Sequence, residues 1–167
     1  MENENKEIKK ENASCTEEEE TQETKSPILL REDIEKILPH RDGMLLLDSV
    51  VKENDVAHGV KKIRGDEFFL QGHFPNNPIV PGVILCEIMA QSACVLLQDK
   101  MNEGKLPMYT GLDHVRFKSP VRPGDTFETH CKITRSKGPF YFAEGTGIVG
   151  DRLCVKGEFS FALVDKQ

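Results

Sequence analysis

Residues Val83–Met101 form the longest apolar stretch of the chain, and their apolar side chains fall on nearly every side of a helix rather than along one stripe. A helix of that kind has no face to offer to water, so the rest of the chain must enclose it. Gly104 and Pro107 mark its end. Beyond them the hydrophobic period shortens to two. Thr126–Ser136, Phe140–Val149 and Leu153–Val164 read as strands, punctuated by Lys137-Gly138-Pro139 and Gly150-Asp151. In the last of these, Val155, Gly157, Phe159, Phe161 and Leu163 alternate with Lys156, Glu158 and Ser160, which gives one dry face and one wetter face. Upstream, residues 31–37 ahead of Pro39 read as a short helix with Ile34, Ile37 and Leu38 on its apolar side. Met44–Lys52 and Val56–Arg64 read as two strands joined through Glu53-Asn54-Asp55. One buried helix against an antiparallel sheet is an α+β plan, and the sequence holds no internal repeat.

Charge divides the chain into two parts. Residues 1–27 hold nine Glu against four Lys, whereas the remaining residues are close to neutral. The first segment also lacks aromatics and apolar periodicity, so it cannot bury enough surface to offset its ordering entropy. The expectation is a disordered acidic tail over 1–27, an inert solubilising extension, followed by one domain over 28–167. The length, 167 residues, suits one domain with a sizeable core. Acidity argues against a transit peptide and against nucleic acid as a partner, and no apolar run is long enough to span a membrane. Five cysteines form no Cys-x-x-Cys pair and leave an odd count, which suits reduced thiols in the cytoplasm and no metal site.

The chemistry concentrates just before the buried helix. In Gly72-His73-Phe74-Pro75-Asn76-Asn77-Pro78-Ile79-Val80-Pro81-Gly82-Val83, three prolines restrict the loop, because each fixes its own φ and biases the residue before it to extended geometry. Fourteen residues after His73, Glu87 interrupts the apolar helix. An ionisable group among apolar neighbours costs free energy unless it is paired or neutralised, so its presence asks for a reason. A base, an acid and a rigid frame are the parts that proton-transfer chemistry requires.

The run from Gly72-His-Phe-Pro through Pro81-Gly-Val to Glu87-x-Met-Ala-Gln91 resembles the signature of the β-hydroxyacyl-acyl-carrier-protein dehydratases of bacterial fatty acid synthesis, FabZ type. Leu38-Pro39-His40-Arg41, Leu45–Asp48, Gly111-Leu112-Asp113-x-Val115-Arg116-Phe117 and Pro120-Val121-x-Pro123-Gly124-Asp125 agree with it, and the resemblance covers about residues 28–164. It implies a hot-dog fold, a curved antiparallel sheet wrapped around one long central helix. It also implies dehydration of (3R)-hydroxyacyl-acyl-carrier protein to the trans-2-enoyl form without metal or redox cofactor. The roles it implies are His73 as base and Glu87 as acid, with Gly82, Phe74, Val83 and Gln91 binding or lining the substrate site. Chemistry makes each plausible in its own right. Neutral imidazole is abundant near neutral pH. A helix N-terminus at Gly82 favours developing negative charge, and glycine permits close backbone approach. Gln91 lies one turn beyond Glu87 and can orient it.

The resemblance further implies that His73 and Glu87 meet across a homodimer interface, in a hexamer built from three dimers. An acidic carrier protein would need a basic patch, for which Arg116, Lys118, Arg122, Arg135 and Lys137 are candidates. His40-Arg41 reads as a turn organiser, and His58, His114 and His130 as surface or packing residues. Glutamate at 87, where the β-decanoyl dehydratase-isomerases carry aspartate, favours a dehydratase, although some isomerising relatives keep Glu. Asp42-Gly43-Met44 replaces the Tyr-Pro-Phe of many relatives, which predicts a looser loop. An aromatic gate of some relatives falls near Met108 or Tyr109. Two rival readings are a hot-dog thioesterase or acyl-CoA hydratase, and a non-catalytic acyl-thioester sensor; the retained His73 and Glu87 argue against both.

Overall fold

A computed structural model describes residues 26–101 and 103–166 of the chain. The expected tail lies almost wholly outside the described residues. Among the described residues, seven antiparallel strands form one sheet in the order β1-β2-β3-β5-β6-β7-β4. They are β1 (Ile28–Leu30), β2 (Ser49–Glu53), β3 (Val56–Lys62), β4 (Lys105–Phe117), β5 (Thr126–Lys137), β6 (Phe140–Val149) and β7 (Arg152–Asp165). Three α-helices accompany them among the described residues: α1 (Arg31–Ile37), α2 (Gly82–Val95) and α3 (Gln98–Met101). The α+β hot-dog plan is what the structure shows, with α2 lying across β3, β5, β6 and β7.

The core explains the all-round apolar character of α2. Ten of its residues are buried, from Leu85 through Val95 with Glu87 the exception in the run. They meet Ala57, Phe127, Cys131, Ala143, Val155, Phe159 and Phe161 from the dry face of the sheet. Shortening a side chain such as Ile88 to alanine would cost about 2–5 kcal/mol through lost transfer energy and the cavity left behind. A polar tie crosses this core. Ser92 Oγ lies 2.7 Å from Thr129 Oγ1, and the Gly59 amide donates to Thr129 Oγ1 at 3.2 Å. Gly59 must lack a side chain because a Cβ there would stand 2.6 Å from Thr129 Oγ1 and still closer to Ser92 Oγ.

Several boundaries differ from the sequence reading. The helix over 83–101 is broken after Val95, where Leu96 and Leu97 N–H bond to carbonyls three residues back and tighten the turn before α3 begins. The strand expected from Met44 starts at Ser49, as β2. Leu45, Leu46 and Leu47 are all buried, so they run through the core instead of alternating across a sheet. Asp42–Met44 forms a tight 3-10 turn that is tied down rather than loose: Arg31 donates to the carbonyls of Asp42 and Leu45 at 2.7 and 2.8 Å. The β2–β3 turn is the expected hairpin, with Asn54 and Asp55 both at positive φ. Strands β1 and β4 were not assigned from sequence. In β4, Pro107, Gly111 and two register shifts hide the alternation, and an edge position tolerates the proline.

Candidate active site

The loop bearing His73 is locked at both ends. His73 N–H donates to the Leu70 carbonyl at 3.1 Å, and Ile79 N–H donates to the His73 carbonyl at 2.9 Å. Val80 N–H then bonds to the Val121 carbonyl at 2.8 Å, and the Arg122 guanidinium holds Asn77 Oδ1 at 2.6 Å. The His73 ring is fixed by the same strand of contacts: Nδ1 lies 2.8 Å from the Ile79 carbonyl oxygen. A carbonyl only accepts, so Nδ1 carries a hydrogen, and in the neutral tautomer that this allows Nε2 keeps its lone pair. Phe74 stacks on the imidazole with ring centres 4.2 Å apart.

His73 opens on a cavity of about 540 Å³ that Gly82, Val83, Leu85, Phe117 and Lys118 also line. Gly82 is the first residue of α2, and no side chain caps that end, so the helix presents free N–H groups beside His73. Glycine is required there for a reason visible only in three dimensions: a Cβ would lie 2.7 Å from the Phe117 ring. Val83, expected on a buried face, is 67% exposed.

Glu87 faces a second, smaller cavity of about 70 Å³, which His40, Ala90, Gln91, Cys94, Pro107, Tyr109 and Phe161 line. Gln91 Nε2 donates to Glu87 Oε1 at 2.9 Å, as the one-turn spacing predicts. His40 Nε2 lies 3.3 Å from the same oxygen, a neighbour that the sequence reading missed in treating His40-Arg41 as a turn organiser. The cue was present in the Leu38–Arg41 block, but nothing local says that this loop folds back onto α2. Arg41 does organise the turn, bonding to the carbonyls of Leu38 and His40. Burial pushes the thiol of Cys94 up, and that of Cys131 up to about 12, so neither acts as a nucleophile. Burial likewise raises the Tyr109 phenol, whose hydroxyl donates to the Cys86 carbonyl at 2.9 Å.

One chain thus brings His73 together with Gly82 and Val83, and Glu87 together with Gln91 and His40, in two separate cavities. Phe74 is exposed beside His73 rather than within the first cavity's lining. Among the basic candidates, Lys118 lines the His73 cavity, whereas Arg122 braces the loop and Arg135 stacks on Phe142. His58 and His130 pair across β3 and β5 with Nδ1 atoms 3.1 Å apart, and His114 contacts Glu158 at the surface. Among the described residues, no group of three or more His, Cys, Asp or Glu is placed to hold a metal ion.

The FabA-like domain family matches residues 38–158. A 3-hydroxyacyl-[acyl-carrier-protein] dehydratase FabZ of Macrococcus caseolyticus is 43% identical over 142 residues, covering 83% of this chain and 98% of the relative. The FabZ of Natranaerobius thermophilus is also 43% identical, covering 80% of this chain and 96% of its own. The chain belongs to the FabZ-type dehydratases. The dehydratase heterocomplex ApeI:P of Xenorhabdus doucetiae shares the fold, with a TM-score of 0.69 at 22% identity over 80% of this chain and 91% of that one. A probable thioesterase of Bartonella henselae shares it more loosely, with a TM-score of 0.54 at 15% identity over 68% of this chain and 93% of that one. Fold likeness at that level does not choose between dehydratase and thioesterase. The FabZ-type sequence does.

Proposed function

We infer that the protein is a hydro-lyase that dehydrates (3R)-hydroxyacyl-acyl-carrier protein to the trans-2-enoyl thioester in type II fatty acid synthesis. His73 Nε2 removes the proton beside the thioester carbonyl, and the electron pair moves onto the carbonyl oxygen. The free N–H groups at Gly82 and Val83 receive that oxygen as its charge develops. Glu87 then protonates the departing hydroxyl, which leaves as water while the C2–C3 double bond forms. His73 ends protonated and Glu87 ionised, and both exchange protons with solvent before the next turnover.

The observation that carries this reading is the division of the chemistry between two cavities of one chain. A second copy is the natural completion. Strand β4 ends the sheet with thirteen residues and an unpaired edge, and Met108, Tyr109, Leu112 and Phe117 along it are exposed. Long apolar edges call for a partner. A homodimer joined through β4 would cover them and set His73 of one protomer against Glu87 of the other. Assembly into a hexamer of three dimers rests on the family resemblance. So does the choice of an acyl carrier protein as substrate carrier, with Lys118, which lines the His73 cavity, as one of its contacts. Cytoplasmic location is part of the same proposal; among the described residues, no helix is long and apolar enough to cross a membrane.

The test is direct. Purified protein incubated with (3R)-hydroxyacyl-carrier proteins of several chain lengths should yield trans-2-enoyl products, identified by mass and double-bond position. Release of free acid instead would indicate a thioesterase, and no reaction with any length would end the proposal.

A further inference from the structure

The residue that the dehydratase chemistry leaves unexplained is His40. Its Nε2 lies 3.3 Å from Glu87 Oε1, while its Nδ1 is buried with no hydrogen-bond partner among the described residues. Together these facts place the ring's hydrogen. A buried N–H without an acceptor forfeits a hydrogen bond it had in water, whereas a bare ring nitrogen gives up only a weak acceptor. Nδ1 is therefore the unprotonated nitrogen, and Nε2 carries the hydrogen toward Glu87. A small turn of the ring converts the 3.3 Å approach into a hydrogen bond, as catalytic contacts tend to tighten once substrate is bound.

The other donor at Oε1 has no freedom at all. Gln91 Nε2 donates to Glu87 Oε1 at 2.9 Å and to the Met44 carbonyl at 2.8 Å. Its own oxygen accepts the Leu46 N–H at 3.0 Å, so the amide cannot flip. Oε1 of Glu87 therefore accepts from Gln91 and has His40 Nε2 as its second nitrogen neighbour, 3.3 Å away. The remaining neighbours do not compete. Tyr109 spends its hydroxyl on the Cys86 carbonyl, Arg41 turns to the carbonyls of Leu38 and His40, and Ala90, Cys94, Pro107 and Phe161 complete the wall without a cation.

We propose that His40 is a positioning residue for the dehydration: with Gln91 it saturates Oε1 of Glu87, so that the transferable proton rides on Oε2, the oxygen left free to meet the substrate hydroxyl. The inference rests on Glu87 as the acid and adds the group that decides which of its oxygens does the work.

Hydration of crotonyl-carrier protein by the full chain tests it. His40→Leu should lower kcat about 10–100-fold, since misplacing a reacting group by about an ångström can cost about a hundredfold, with KM within about twofold. His40→Gln, whose amide can place an N–H near the Nε2 position, should recover most of that loss. Equal impairment of the two variants, or wild-type kcat in His40→Leu, overturns the proposal. Glu87→Gln run in parallel separates the two readings: near-normal turnover removes Glu87 as acid, while an inactive Glu87→Gln beside an unaffected His40→Leu sinks only the role of His40. Nitrogen-15 spectra of histidine-labelled wild-type protein provide a readout that needs no variant to fold. They should show His40 protonated at Nε2 and bare at Nδ1, and the opposite tautomer overturns the proposal.

Discussion

His73→Ala and Glu87→Gln each remove one half of the proposed chemistry, and each alone should lower kcat by about 10²–10⁴-fold, the usual effect of deleting a general base or acid. Their mixture should behave differently. If each site draws His73 from one protomer and Glu87 from the other, a hybrid dimer contains one site with both substitutions and one site with neither. Random exchange makes half the dimers hybrids, so about a quarter of all sites become intact and about a quarter of wild-type activity returns, by two-fold symmetry. Isolated hybrids, purified through a different tag on each chain, should reach about half. The structure motivates the arithmetic because the two residues line separate cavities of one chain. The assay is crotonyl-carrier hydration after co-refolding or co-expression, with native mass spectrometry to count hybrids. Hybrids present without recovery above the single variants would refute the shared site.

Other perturbations probe the frame. Gly59→Ala should destabilise the fold by about 1–3 kcal/mol in urea unfolding, since its Cβ collides with the Ser92–Thr129 tie; a change under about 0.5 kcal/mol would show that the core yields there. Leu112→Glu, on the exposed edge of β4, should shift sedimentation toward monomer and abolish turnover together, and an active monomer would contradict the dimer reading. Arg122→Ala frees Asn77 and should lower kcat several-fold, while stability changes by less than about 1 kcal/mol because the contact is exposed. The thiol of Cys131, pushed up to about 12, holds its proton until far above neutrality, so its thiolate fraction at pH 8 is about 10⁻⁴. Alkylation at pH 8 should spare it in the native protein and modify it in urea, and rapid native labelling would show that the site opens.

What could be read from residues alone was local or periodic. The all-round apolar character of α2, the two-residue alternation of β5 to β7 and the paired turn residues Asn54 and Asp55 each state their geometry within a few positions. The proline-stiffened loop and the lone carboxylate of Glu87 likewise marked a site before any fold was known. Strand β4 escaped because Pro107, Gly111 and two register shifts break its alternation, and many of its residues are exposed in the single chain. The break after Val95 escaped because apolar residues continue through Leu97 and nothing in the pattern marks a stop.

The partnership of His40 with Glu87 belongs to a different order of information. It joins residues 47 positions apart, through a loop that Arg31 pins to α1 and Gln91 to α2 by hydrogen bonds to backbone carbonyls, and carbonyls are identical in every residue type. The same holds for Gly82, whose small size answers to the Phe117 ring rather than to any neighbour in sequence. Sequence by itself determined which residues could donate, accept or bury, because side-chain chemistry travels with the residue. Tertiary structure alone decided which of them share a cavity and which nitrogen keeps its hydrogen, because those depend on distances that only the closed chain sets.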